Sequence, residues 1–281
     1  MSRIESPSSI STFNQCKRKY YYSYKLNLPR KDSISTLTGK SVHSSLEEFY
    51  KIDLNSIKNP EIELKHSLMN IFNTNWESSL KKLLELNIDK TIIIQHYQDS
   101  LSMLQNFIED FLTSLNKEMI SLSFKEAFDK LKPQTEIHLS SNQHNVQGFV
   151  DAIINYNGDI YILDYKTSSK DMVTDEYELQ LAIYALLYQE KFNILPKKVG
   201  LHFLRHGSKK YLNVNDDLLF KARKQCEMIK LSTVSDSIED YEKNPGPLCK
   251  WKTGQCSFYD ICFGVKRLEE FDKELIQIRK V

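Results

Sequence analysis

The sequence predicts a mixed α/β fold, in which a small sheet is flanked by helices, carries a helical insertion near its front and ends in a cysteine-bearing tail. Three observations predict it. Apolar spacing is helical over residues 60–130, changes to strand-like alternation from 135, and returns to helical spacing near 216. Asn157-Gly158 lies between two apolar runs and marks a tight hairpin. The 281 residues, 41% hydrophobic and 27% charged, suit one large domain or two small ones, because single cores stop growing at about 250 to 300 residues.

The elements follow in order. Ser6 beside Pro7 starts a helix bearing Ile10 and Phe13. Val42, His43, Leu46 and Phe49 follow Gly39 at helical spacing, which sets His43 near the start of a second helix. Ile94, Tyr97, Leu101, Leu104, Ile108, Phe111 and Leu115 alternate steps of three and four and form one packing stripe. Residues 135–139, 146–154 and 160–165 read as three antiparallel strands. A helix over 175–190, strands near 199–204 and 211–214, and a helix from Asp216 ended by Pro245-Gly246-Pro247 complete the core. A charged terminal helix closes the chain. The expected boundaries are 1–50 for the front of the core, 51–132 for the helical insertion, 133–235 for the sheet with its helices, and 236–281 for the tail.

Composition excludes several functions. Thirty-eight Lys+Arg face 37 Asp+Glu, so the chain is no globally basic nucleic-acid binder, and such contacts must come from local patches. No apolar run approaches the ~20 residues needed to span a bilayer. The first 25 residues lack the apolar stretch of a signal peptide. We therefore expect a cytoplasmic protein without a membrane partner, bacterial or virus-encoded; 31 Lys against 7 Arg suggest an AT-rich genome. No Gly-x-x-x-x-Gly-Lys-Ser/Thr run is present, which removes an ATP-driven motor. Five cysteines in a reducing compartment point to metal ligands or buried thiols.

Asp164 and Lys166 are two apart on one expected strand and so share a face, with Asp151 on the preceding strand. Two carboxylates and an ammonium at one sheet edge suit metal-dependent phosphodiester hydrolysis, because the acids hold a hard divalent ion and the lysine offsets developing charge. A surface strand with two solvated charges is the alternative for these residues alone. Cys16 with Cys249, Cys256 and Cys262 supplies four thiolates, enough for a 4Fe-4S cluster or a tetrahedral zinc. Cys226 falls outside that pattern and reads as a core thiol. Residues 17–31 carry six basic residues and no acid, and 191–210 are also free of acids. Lys17, Arg18, Lys19, Lys197, Lys198 and Arg205 are the cations expected to meet phosphates. The interleaved tyrosines 20, 21, 22 and 24 suit base stacking or the core equally.

Taken together, Gly148-Phe149-Val150-Asp151, Ile162-Leu163-Asp164-Tyr165-Lys166-Thr167, Gln180 with Tyr184, Gly39-Lys40-Ser41-Val42-His43 and Cys16-Lys17-Arg18-Lys19-Tyr20 resemble the PD-(D/E)xK nuclease superfamily, in particular its RecB-like branch. The resemblance implies a restriction-endonuclease-like core. It implies that His43, Asp151, Asp164 and the Tyr165 carbonyl hold Mg2+ or Mn2+, that Lys166 is catalytic, and that Gln180 and Tyr184 lie against the site. Glu136 matches a commonly acidic position of the family. Iron-sulfur members, AddB-type and CRISPR-associated, place one cysteine before the core and three after it, so that a 4Fe-4S cluster fastens the chain ends. The departure here is six residues between Cys249 and Cys256, including Lys252, where the family usually has two. The implied function is a DNA nuclease, foremost an exonuclease on single strands or free ends in repair, recombination or replication. Alternatives are a structure-selective or CRISPR-adaptation-type endonuclease, or a non-catalytic DNA-binding partner of a helicase.

Overall fold

Polar caps decide where the helices begin. In the computed structural model, which describes residues 3–251 and 254–271, the Ser6 hydroxyl accepts from Ser9 N–H and opens α1 (Pro7–Gln15). A short α2 (Lys17–Tyr20) runs into a π-helical turn, Tyr21–Lys25. Helix α3 (Ile34–Phe49) starts at a Ser33 cap, six residues before Gly39, so His43 lies in mid-helix and not near its start. The polar Ser35-Thr36 pair hid that first turn from a hydrophobicity reading. The expected helical stretch is three helices: α4 (Pro60–Glu85), α5 (Lys90–Glu118) capped by Asp89, and α6 (Phe124–Leu131) with a Ser123–Glu126 capping box. Among the described residues no helix is long and apolar enough to cross a membrane.

The sheet follows the sequence closely. Strands β1 (Gln134–Ser141), β2 (Val146–Tyr156), β3 (Asp159–Lys166), β4 (Lys198–Phe203) and β5 (Ser208–Asn213) lie side by side in chain order. Strand β2 pairs antiparallel with β3 through Asn157 and Gly158, both at positive φ as a type I′ hairpin requires. Strand β4 pairs parallel with β3, setting Asp164 beside Leu201 and Lys166 beside Phe203. The crossover between them is α7 (Asp175–Phe192), capped by Thr174 and carrying Asp175, Glu176 and Glu178 in its first turn. Its residues 181–188 are all buried, as befits a helix enclosed on every side. Helix α8 (Asp216–Ser232) stops well before Pro245, against expectation, where Thr233-Val234 and a run of serines and aspartates replace the helical pattern. Cys226 is buried in it, as read. Most of the expected terminal helix, residues 272–281, lies outside the described residues.

The described chain divides into two compact units: one of residues 32–140 and 148–222, the other of residues up to 31, 141–147 and from 223 onward. The first unit contains the sheet. Helices α3 to α6 share one core with the sheet residues Ala152, Leu163 and Tyr165. The apolar stripe of α5 faces this core, but it begins at buried Ile93, while Ile94 is 55% exposed. Phe49 is fully buried, its ring 5.3 to 5.9 Å from those of Tyr50, Phe107, Phe111 and Phe128. Truncating a buried ring removes its transfer energy and leaves a cavity, so Phe49→Ala should cost about 3 to 5 kcal/mol in a denaturant titration. A loss below about 1 kcal/mol would mean that the helices do not share this core.

In the second unit the tyrosines are core. Tyr20, Tyr21 and Tyr22 are all buried, packing on Phe13, Tyr241 and Phe258. The wider π turn carries two of these buried rings, Tyr21 and Tyr22. The rings are therefore not free platforms for bases.

Candidate active site

Strand β3 ends with Asp164 and Lys166 on one face, as the two-residue period requires. Asp164 is 3% exposed, and its Oδ2 lies 2.6 Å from Lys166 Nζ. Helix α7 brings Gln180 onto both. Lys166 Nζ donates to Gln180 Oε1 at 2.7 Å, while Gln180 Nε2 donates to Asp164 Oδ1 at 2.8 Å and to the Tyr184 hydroxyl at 3.0 Å. The Lys166 ammonium also lies 4.6 Å from the centre of the Tyr177 ring. On β2, the pairing with β3 ends at Ala152 and Leu163. Beyond it the Asp151 carboxylate takes the Tyr165 N–H at 2.7 Å, and His43 Nδ1 from α3 lies 3.4 Å from the same oxygen. Glu136 on β1 has φ 51°, a left-handed backbone that breaks strand alternation, and its carboxyl is within electrostatic reach of Asp151, Glu47, His43 and Asp164.

Burial dominates the electrostatics. It raises the Asp164 carboxyl from 3.8 to about 6; Lys166 opposes that rise and the Asp151 charge adds to it. Glu136 is raised by burial and by Asp151 and Glu47. For His43 burial disfavours the cation, but the hydrogen bond and charge of Asp151, with the charge of Asp164, outweigh it and raise the imidazole. Folding therefore tightens the Asp164 proton, and the stability this contributes is complete below about pH 4 and lost as pH rises through about 6. In EDTA, Asp164→Asn should melt above wild type at pH 8, with the gap closing toward pH 4. Coincident melting curves at pH 8 would show that the buried charge carries no penalty.

The donor set fits a hard divalent cation. Asp164 Oδ2 is buried, with the Lys166 ammonium as its close partner, and carboxylates with an imidazole are the ligand types such ions take. Among the described residues, however, no three His, Cys, Asp or Glu side chains are gathered closely enough to hold an ion as they stand. Asp151 is turned to His43 and the Tyr165 N–H, and Asp164 to Lys166 and Gln180. The Tyr165 ring points to the opposite face, where its hydroxyl is within electrostatic reach of that of Tyr50. There a cavity of about 280 Å³ is lined by Tyr50, Phe107, Tyr165 and His202 among others. Of the expected site residues, Tyr165 alone lines it.

The four candidate cysteines all fall in the second unit and are half-buried. Within the six-residue interval, a departure at the sequence level, β6 (Lys250–Trp251) pairs antiparallel with β7 (Gly254–Gln255). Cys256 N–H donates to the Cys249 carbonyl at 2.9 Å, so the backbones of the two cysteines lie side by side. Lys252 lies outside the described residues. Cys262 ends α9 (Tyr259–Cys262), and its thiol is raised by burial, with Cys16 and Cys256 within electrostatic reach.

The basic segments are less open than their sequence implies. Arg205 pairs with Asp99 at 2.8 Å and Lys197 with Asp159 at 2.5 Å, while Arg18 Nε donates to the Tyr241 carbonyl. Lys198 is half-buried, with its Nζ 6.0 Å from the Tyr211 ring centre. Lys17 is exposed and Lys19 half-buried. A window free of acids in sequence is not free of them in space: Asp99 and Asp159 come from α5 and β3. Tyr177 and Glu47 were missed. Tyr177 lies one turn before Gln180 and Glu47 one turn after His43, so helical spacing from the identified residues would have found both.

Comparison with known proteins gives the family. A family model described as the PD-(D/E)XK nuclease superfamily matches residues 5–263. The CRISPR-associated exonuclease Cas4 of Francisella tularensis subsp. novicida (strain U112) is 27% identical over 127 residues, 45% of this chain and 60% of that relative. The chain thus spans less than two thirds of the curated relative that it matches. A Eubacterium rectale crystal structure, provisionally described as an exonuclease, aligns over 88% of this chain and 86% of its own at 13% identity, with a TM-score of 0.49, a likeness too loose to carry argument.

Proposed function

The chain belongs to the PD-(D/E)XK nuclease superfamily, and from that premise we propose that it is a metal-dependent DNA nuclease acting as an exonuclease on single strands or free ends. The observation that carries this reading is the hydrogen-bonded set of Asp164, Lys166, Gln180 and Tyr184, with Asp151 and His43 beside it. A pure binding module has no use for a buried carboxylate that costs stability at neutral pH. The relative named an exonuclease supports the end-directed reading, and a helicase or recombination protein is the class of partner such an activity serves.

In this proposal His43, Asp151, Asp164 and the Tyr165 carbonyl hold Mg2+ or Mn2+, which when bound supplies Lewis-acid activation of the phosphodiester. The rest is work for the chain. Lys166 places a positive charge where negative charge gathers on the phosphate. Gln180 holds the ammonium by its oxygen and Asp164 by its amide, and Tyr184 fixes which way that amide faces. Glu136 adds negative potential that favours a cation. Lys17 and Lys19 remain candidates for phosphate contact, with Arg18, Lys197, Lys198 and Arg205 available only by exchanging the contacts they now make. Cys16, Cys249, Cys256 and Cys262 hold a structural 4Fe-4S cluster, with zinc as the rival occupant.

A gel time course of an end-labelled single-stranded oligonucleotide with Mn2+ or Mg2+ tests the reading. Mononucleotides or short ends are expected. Internal fragments would replace it with the structure-selective or adaptation-type endonuclease, and no products from folded, cofactor-loaded protein on single-stranded or structured DNA would replace it with the helicase-partner module.

A further inference from the structure

Phe149 on β2 is 58% exposed although it lies two residues from Asp151. Its neighbours Gly148 and Val150 are buried, so strand alternation fixes Phe149 and Asp151 on the same, open face about 7 Å apart along the strand. Single exposed apolar residues are commonplace; this one has company. Its ring meets that of His138 on β1, centroids 4.9 Å apart and tilted by 40°, and the exposed Lys191 donates to the His138 carbonyl at 2.8 Å. An ammonium has three protons, so this contact leaves Lys191 able to meet a phosphate. Lys191 follows Gln180 by eleven residues on α7, about three helical turns, and so lies on nearly the same side of the helix about 16 Å further along.

We propose that Phe149 and His138 form a stacking platform for an unpaired nucleobase of the substrate strand, with Lys191 meeting a phosphate beyond it. This rests on the nuclease reading and names how that site positions a single strand. An aromatic face accepts any base, so the platform orients a strand without reading its sequence, as an end-directed enzyme needs. Phe149 is a positioning residue, since it acts on the strand and not on the reacting atoms.

The test is a binding measurement in EDTA, by fluorescence anisotropy, with a thymidine oligonucleotide and one of equal length and charge made of abasic sites. Wild type should bind the thymidine strand about tenfold more tightly than the abasic one, the size of one stacking contact. Phe149→Ala should remove that preference by weakening the thymidine strand alone, and Phe149→Trp should restore it. Equal affinities in wild type, or a Phe149→Ala loss shared by both strands, overturn the platform. Because no cleavage is read, a failed nuclease reading would show in the gel assay and leave this result interpretable. Thermal melting checks that the exposed substitution leaves folding intact.

Discussion

Lys166→Ala should lower the rate of oligonucleotide cleavage about a thousandfold while leaving affinity for the strand nearly unchanged. The ammonium sits among Asp164, Gln180 and the Tyr177 ring, a cage too tight for it to serve as a general phosphate anchor. In the proposed reaction its charge addresses instead the one phosphate that reaches Asp164. Lys166→Arg should rescue little, because a planar guanidinium is too broad for a cage set by one amide oxygen and one carboxylate. Cleavage by Lys166→Ala at a tenth of the wild-type rate, measured in the same gel time course, would remove the residue from the chemistry.

Cys256→Ser should abolish the visible absorption and the four irons and four sulfides expected per chain of anaerobically purified protein, and should melt the second unit at lower temperature. The effect is large because ligand binding that occurs only in the folded state is folding free energy, on the order of 10 kcal/mol for a structural zinc. Cys256 is the informative choice. It sits opposite Cys249, next to the β6–β7 pair, and within electrostatic reach of Cys262. Colourless wild type with one zinc per chain would give the site to zinc. Wild type with neither metal would return the four thiols to an ordinary core.

What could be read from the residues beforehand depended on how local the determining physics was. Asn157-Gly158, the alternation around Asp164 and the Gln180–Tyr184 spacing are each decided within a few residues, and the strands and the shared face of Asp164, Lys166 and Gln180 followed. The start of α3 escaped because a serine cap sixteen residues before Phe49 outranked the apolar pattern around His43. The paired state of Arg205 and Lys197 escaped for the opposite reason: their acids are 106 and 38 positions away. The left-handed backbone at Glu136 has no sequence signal at all, since glutamate is an unusual residue there.

The second unit is assembled from pieces more than two hundred positions apart: Arg18 binds the backbone of Tyr241 and Glu242, and Asn244 binds that of Gln15. During synthesis the sheet unit, complete by residue 222, can fold while those first helices wait without partners. The tyrosines of residues 20–22 are then three unburied rings on a nascent chain, exposed until the residues after 223 emerge. For this protein the hazardous interval on the ribosome is set by the distance between Cys16 and Cys262, and conditions that slow translation of the last quarter should increase aggregation more than those that slow the first.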